Sequence, residues 1–336
     1  MKIAILGTGT WGTALARMLA NNEHEVYAWS ALSEEIDMLN SKREHINLPG
    51  VELPEAIVFT KNIDEACKNA ELIVFSTPSV YIRSTVASAA PFITSEQILI
   101  DVAKGIEPNS HLTMTQVIHD ELSKHGKFEN SVVALSGPSH AEEVSRDLPT
   151  TIVAASSDMA AAEKAQDAFT NDCMRVYTHF DVEGVELCGA LKNIMALACG
   201  VSSGLGFGDN TRAALITRGL AEIKRLGVRM GCDESTFSGL AGMGDLIVTA
   251  TSEHSRNNRC GKLLGQGLSA EEAIKEVGMV VEGINARPAA MQLKDEYGVE
   301  MPITERVNDV VFNGMDPKQA VMWLMTRDKR AELDNR

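Results

Sequence analysis

Lys2-Ile3-Ala4-Ile5-Leu6-Gly7-Thr8-Gly9-Thr10-Trp11-Gly12-Thr13-Ala14-Leu15-Ala16-Arg17-Met18-Leu19-Ala20 begins one residue into the chain. Its apolar start reads as a buried strand, its glycines as a G-x-G-x-x-G turn, and its remainder as a helix with apolar residues at helical spacing. Gly7 permits the tight turn, and Gly9 lets backbone approach a pyrophosphate. Gly12 allows close helix–strand packing, and the helix N-terminus faces negative charge. Strand, turn and helix in that order predict a dinucleotide-binding unit. So early a strand is also read as structure and not as a signal peptide.

Working outward, Glu25-Val26-Tyr27-Ala28-Trp29 reads as the second strand. A site preferring NAD often carries an acid at this strand's end, roughly 20 residues past the glycines, for the ribose 2′-hydroxyl. Ser30 and Ala31 stand there instead, with Lys42 and Arg43 following. The missing acid leans towards NADP and leaves NADP or NAD open. Further strands are expected at residues 71–77, 97–103, 131–135, 150–155 and 174–177, separated by helical segments. The alternation predicts an α/β fold with a doubly wound, mainly parallel (Rossmann) sheet. Thr77-Pro78, Lys104-Gly105 and Gly137-Pro138-Ser139-His140 fall at strand ends, where such sheets bind ligands.

After about residue 184 the strand signals stop, and helices are expected over 185–200, 210–230, 234–244, 258–265, 269–277, 283–296, 303–312 and 317–333. The expected domains are therefore a dinucleotide-binding Rossmann domain over 1–184 and an all-helical C-terminal domain over 185–336. A chain of 336 residues suits two cores. The net charge of −15 argues against a general nucleic-acid or anionic-membrane binder, though a local field can still accept an anionic substrate. No apolar run approaches the ~18 residues of a membrane span. Six scattered cysteines without metal spacing suggest reduced thiols, a cytoplasmic protein and no metal site.

The helical domain opens on Glu186-Leu187-Cys188-Gly189-Ala190-Leu191-Lys192-Asn193-Ile194-Met195-Ala196-Leu197-Ala198-Cys199-Gly200, nearly apolar but for Lys192 and Asn193 at its middle. No carboxylate lies three or four residues from Lys192, so its ammonium either reaches water along an apolar stem or meets a partner from elsewhere. Lys192 could face an inter-domain cleft with Lys104. There one lysine would exchange a proton with a carbonyl and the other hold oxyanion or phosphate charge. Lys104 is equally readable as an exposed lysine in a glycine turn. Gly239-Leu240-Ala241-Gly242-Met243-Gly244-Asp245 could present Asp245 and Thr249 to a ligand or to Lys192, or could simply cap a helix. Ser255-Arg256-Asn257 before a helix makes a phosphate cradle or a solvated basic loop. His140, at a strand end, is the runner-up general acid, and His254, beside the Ser255-Arg256-Asn257 loop, is a secondary candidate for a direct chemical role.

Taken together these residues resemble the bacterial-type NAD(P)-dependent glycerol-3-phosphate dehydrogenases over nearly the whole length. The resemblance is carried by the glycine turn and by Ala103-Lys104-Gly105-Ile106-Glu107, Ser136-Gly137-Pro138-Ser139-His140-Ala141-Glu142-Glu143 and Gly189-Ala190-Leu191-Lys192-Asn193. It continues through Gly204-Leu205-Gly206-Phe207-Gly208-Asp209-Asn210, Thr217-Arg218-Gly219-Leu220-Ala221-Glu222, Ala241-Gly242-Met243-Gly244-Asp245-Leu246, Ser255-Arg256-Asn257 and Val280-Val281-Glu282-Gly283. It implies reversible reduction of dihydroxyacetone phosphate to sn-glycerol 3-phosphate for phospholipid synthesis, by a homodimer. It makes Lys192 the proton-exchanging residue. Lys104, Gly137, Ser139, Asn193, Asp245, Thr249, Ser255, Arg256 and Asn257 would join Lys192 around the substrate. Gly7, Gly9, Thr10, Trp11, Gly12, Lys104, Ala141, Arg256, Val280 and Glu282 would hold the nucleotide. Many members carry His or Arg near Ser30 and Ala31, and this chain departs from them there. On this reading Lys192→Ala should abolish turnover with little loss of folding. The rivals are a β-hydroxyacid or 6-phosphogluconate type of dehydrogenase and a protein that binds NAD(P) without turnover.

Overall fold

Eight strands form one sheet: β1 (Lys2–Leu6), β2 (Glu25–Trp29), β3 (Val58–Thr60), β4 (Leu72–Phe75), β5 (Ile98–Asp101), β6 (Val132–Ser136), β7 (Thr150–Ala155) and β8 (Met174–His179). The computed structural model describes residues 1–127, 129–329 and 331–332. The strand order is β3-β2-β1-β4-β5-β6-β7-β8, parallel throughout except between β6 and β7. All four residues of β4 are buried, as a central strand covered on both faces requires. The chain runs outward from β1 through β2 to β3, then crosses back to β4 on the other side of β1. That reversal is a topological switch point, which places a ligand crevice outside the carboxyl ends of β1 and β4. β3 was not anticipated, because three residues are too few for a periodic signal.

The helices that go with this sheet are α1 (Thr10–Asn21), α2 (Ser33–Lys42), α3 (Ile63–Cys67), α4 (Ile82–Ala89), α5 (Met114–Lys124), α6 (Ala141–Val144) and α7 (Met159–Phe169). α8 (Val182–Gly204) follows, then α9 (Asp209–Met230), α10 (Asp245–Thr251), α11 (Arg256–Gly265), α12 (Ala270–Val277), α13 (Glu282–Glu296), α14 (Pro302–Phe312) and α15 (Pro317–Met325). The chain divides into two compact units. Met1–Lys104 and Leu112–Glu186 make the first, and Gly105–His111 with the chain from Leu187 onward make the second. The excursion Gly105–His111 carries no marker in the sequence. Ile106 from it is buried in the second unit's own core, in one cluster with Leu191 and Ile194.

Three expectations are corrected. The helix expected over 234–244 is a 3₁₀ turn, Glu234–Ser238, followed by a π turn, Leu240–Gly244. The last helix stops at Met325, short of 333, and residues 330 and 333 lie outside the described residues. α8 is, by length and composition, apolar enough to cross a membrane, but its apolar window is wholly buried, which is the behaviour of a core helix.

α8 packs at backbone distance on α11. A Cβ on Gly200 would lie 2.1 Å from the Asn258 carbonyl oxygen, and one on Gly261 would lie 2.2 Å from that of Leu197. Only hydrogen fits there, so glycines on both helices set how near α11 lies to Lys192's helix.

Candidate active site

In the first unit the glycine turn has the geometry its sequence implies. Gly7 sits at φ +120°, and a Cβ on Gly12 would lie 1.9 Å from the Gly7 carbonyl oxygen. Above Gly9 nothing lies within 4 Å of where a Cβ would be. Gly9 caps α1 without a side-chain hydrogen bond, so the first amides of α1 keep their donors for a ligand. An open, uncapped helix start at the switch point fits a pyrophosphate. Trp11 packs against the small cluster of Ala14, Leu48, Val51 and Ala141, which brings the expected nucleotide residues Trp11 and Ala141 together. Thr10 Oγ1 accepts a hydrogen bond from Asn47 Nδ2 at 3.1 Å.

Lys104, Gly137 and Ser139 also converge. Lys104 Nζ and Ser139 Oγ each donate to the Gly137 carbonyl at 3.0 Å. Gly137 adopts φ +136°, where a side chain would strain the backbone and press on Ile152. The turn carrying Lys104 is held by Asp101, whose Oδ1 accepts from the Ala103 amide at 3.2 Å. Burial, with Glu186 nearby, pushes the Asp101 carboxyl well above the usual range. Asp101 was not singled out from the sequence, where it is simply the polar end of a strand.

In the second unit Lys192 lies deep in α8 with its side chain 6% exposed, and Asp245 is 1% exposed. Lys192 Nζ donates to Asp245 Oδ1 and, at 2.6 Å, to Thr249 Oγ1. Thr249 Oγ1 lies 2.7 Å from the Asp245 main-chain oxygen, one turn back on α10. The ammonium therefore does not reach water along its stem; its partner comes from another helix. The π turn before Asp245 makes this possible, because Gly242 sits where a Cβ would lie 2.2 Å from the Phe237 carbonyl oxygen. Correction also reaches the Lys192→Ala expectation. Removing the cation would take away the charge that offsets burial of the Asp245 carboxylate, which costs roughly 3–5 kcal/mol, so folding would not be spared.

Beside the lysine, Asn193 Nδ2 donates to the Gly189 carbonyl at 3.2 Å, and Asn193 Oδ1 accepts from Asn257 Nδ2 at 3.0 Å. Asn257 Oδ1 accepts from the Gly283 amide at 2.9 Å. This amide chain ties α8, α11 and α13 at one junction, with Val280 and Glu282 just before Gly283 in the chain. Ser255 caps α11, its Oγ accepting from the Asn258 amide at 3.2 Å and keeping its own O–H to donate. Arg256 is the first residue of α11 and is half-buried. Its guanidinium makes no hydrogen bond or ion pair with any other described residue. Among the described residues no group of three His, Cys, Asp or Glu is gathered for a metal ion.

Comparison with known proteins accounts for both units. The family models described as NAD-dependent glycerol-3-phosphate dehydrogenase N-terminus and C-terminus match residues 2–162 and 181–322. A Lactobacillus delbrueckii subsp. bulgaricus protein named glycerol-3-phosphate dehydrogenase (NAD(P)+) 2 is 61% identical over 333 residues, covering 99% of each chain. The chain belongs to the NAD(P)-dependent glycerol-3-phosphate dehydrogenase family. A Bacillus velezensis member is 50% identical over 335 residues, covering 99% of this chain and 96% of its own. The crystal structure of glycerol-3-phosphate dehydrogenase from Coxiella burnetii superposes with a TM-score of 0.91 at 36% identity, covering 97% of this chain and 98% of that one. With the family established, the fold class and the NAD or NADP cofactor expected from the sequence are borne out.

Proposed function

We propose that this chain reversibly reduces dihydroxyacetone phosphate to sn-glycerol 3-phosphate with NADH or NADPH, supplying glycerophospholipid synthesis. The observation that carries the reading is the buried Lys192 ammonium held by Asp245 and Thr249. Reduction of a ketone needs one hydride at carbon and one proton at oxygen. The bound nicotinamide supplies the hydride. Lys192 delivers the proton to the carbonyl oxygen as negative charge develops there, and in the reverse direction takes it back. Asp245 and Thr249 hold Nζ in place and compensate its charge throughout.

The sites divide by unit. Residues 1–184 act as the dinucleotide-binding domain through Gly7, Gly9, Thr10, Trp11, Gly12 and Ala141, with Lys104, Gly137 and Ser139 contributing to substrate. Residues 185–336 act as the helical substrate domain. Arg256 offers its unpartnered fork to the phosphate, and the Ser255 hydroxyl and the Asn193–Asn257 amides shape the ground beside Lys192. Val280 and Glu282 complete the nucleotide set with Arg256. Free thiols at all six cysteines fit a reducing, cytoplasmic setting. We place the active form as a homodimer, in keeping with the family resemblance and checkable by light scattering on the eluted protein.

The test follows nicotinamide absorbance with dihydroxyacetone phosphate and each reduced cofactor. Cofactor oxidation is expected with the phosphorylated ketone, and reduction of NAD+ or NADP+ by a hydroxy acid without phosphate, run as the reverse assay, would instead favour the β-hydroxyacid reading. Arg256→Ala is expected to raise KM for dihydroxyacetone phosphate by about 10²-fold, the loss of a charge-assisted pair. An unchanged KM would remove Arg256 from the phosphate.

A further inference from the structure

We propose that Glu35 is the carboxylate that reads the adenosine ribose of the dinucleotide, and that it makes this chain select NAD(H) over NADP(H); this rests on the dehydrogenase reading above. The end of β2 carries Ser30 and Ala31, where such sites usually place their acid. The structure brings an acid to that place from the first turn of α2. Glu35 Oε2 accepts from Thr8 Oγ1 at 2.7 Å and from Ser30 Oγ at 2.6 Å. Thr8 lies inside the glycine turn and is 1% exposed, and Ser30 is 7% exposed. Two buried hydroxyls thus fix one carboxylate oxygen between the glycine turn and the end of β2. The other oxygen retains its lone pairs.

Among the described residues no cation comes within hydrogen-bond distance of that carboxylate. The nearest candidate cation is His45, whose Nε2 lies 4.0 Å from Glu35 Oε1, beyond hydrogen-bond distance. His45 Nδ1 accepts from the Asn47 amide at 3.1 Å, and burial pushes the imidazole pKa down, so the ring is neutral near pH 7. Arg43, which by sequence could have met a 2′-phosphate, is turned away. Its guanidinium donates to the Ile57 carbonyl at 2.8 Å, pairs with Glu55 at 3.5 Å and lies over the Phe59 ring at 5.4 Å. Lys42 is exposed in the last turn of α2, at the opposite end of that helix from Glu35. A ribose 2′-hydroxyl can donate to Glu35, whereas a 2′-phosphate brings like charge and no donor, which costs affinity. The same hydrogen bonds explain why Thr8 and Ser30 are hydroxyl residues.

The decisive measurement is equilibrium binding by calorimetry of ADP-ribose and 2′-phospho-ADP-ribose, with NADH and NADPH alongside. The ADP-ribose pair cannot transfer hydride, so it reads the ribose site without turnover. The unmodified protein is expected to bind ADP-ribose at least about tenfold tighter than its 2′-phosphate, and Glu35→Gln to shrink that ratio about tenfold. Equal or tighter binding of the phosphorylated form by the unmodified protein overturns the proposal, as does a ratio unchanged in Glu35→Gln. The ratio in the unmodified protein decides even where the variant fails to fold. Binding of none of the four ligands by folded protein would instead sink the dehydrogenase reading and this role with it.

Discussion

At the scale of single residues, the defining fact is that Lys192 and Asp245 are each placed where neither would be tolerated alone. Substituting Lys192 by Met keeps the apolar volume of the stem and removes the cation that faces the buried carboxylate. We expect Lys192→Met to lose turnover and roughly 3–5 kcal/mol of stability together. Adding Asp245→Asn should return most of the stability, because a neutral amide is far cheaper to bury, while turnover stays absent. Urea midpoints and kcat measured on both variants separate the two effects. A double variant as unstable as the single one would mean that the lost stability does not come from the uncompensated Asp245 charge. The sequence named Lys192, Asp245 and Thr249 as candidates but could not pair them, since Lys192 and Asp245 are 53 positions apart and only the helical unit's packing closes that gap.

At the scale of elements, two contacts control where the site residues stand. The first is the glycine contact between α8 and α11. In an isolated helix Gly→Ala gains about 1 kcal/mol, but at Gly261 the new Cβ would lie 2.2 Å from the rigid backbone oxygen of Leu197. Overpacking of that kind costs about 1–3 kcal/mol and moves α11, so the clash wins. Gly261→Ala is therefore expected to lower the melting temperature and, because Arg256 starts the same helix, to raise KM for the phosphorylated substrate. A variant with higher Tm and native KM would show that the helices stand farther apart.

The second contact is Glu222 of α9, which accepts from the Ile303 amide at 2.7 Å and from the Thr304 amide and hydroxyl at 3.2 Å. It thereby caps α14 from outside, serving first-turn amides that have no acceptor within the helix. Burial pushes its carboxyl from the ordinary 4.5 up to about 7 despite these bonds. Between those two values the folded state keeps a proton that the unfolded state has released. Stability therefore falls as pH rises across that window, by up to about 1.4 kcal/mol per unit, and levels above it. Glu222→Gln does not titrate, so the stability difference between parent and variant should move against the parent from pH ~5 to pH ~7.5. Chemical denaturation at several pH values checks this, and a difference independent of pH would place the carboxyl in its ordinary range.

For the whole molecule, the buried thiols give a global readout. Burial pushes the Cys67 and Cys199 thiols up to about 12 and that of Cys260 to about 11. Thiolate is the reactive form, so native protein should be alkylated first at half-buried Cys173, with Cys67 and Cys199 modified only on unfolding. Mass spectrometry after a timed iodoacetamide pulse shows the order. Equal labelling of Cys67 and Cys173 in native protein would contradict it. Much of this molecule was readable from local pattern. The strand–glycine turn–helix opening, the alternation that makes a doubly wound sheet and the change to helices near residue 184 are period and turn signals that a few neighbouring residues carry by themselves. β3 and the excursion Gly105–His111 were not, being too short or too ordinary in composition. Partners far apart in the chain were not readable either. The Lys192–Asp245 pair, the Asn193–Asn257–Gly283 chain, the glycine contact of α8 with α11 and the Glu35 carboxylate beside Ser30 all join groups from separate elements. Local periodicity dictates each element's face, but hydrogen bonds and charge pairs between elements exist only once packing has brought those faces to contact distance.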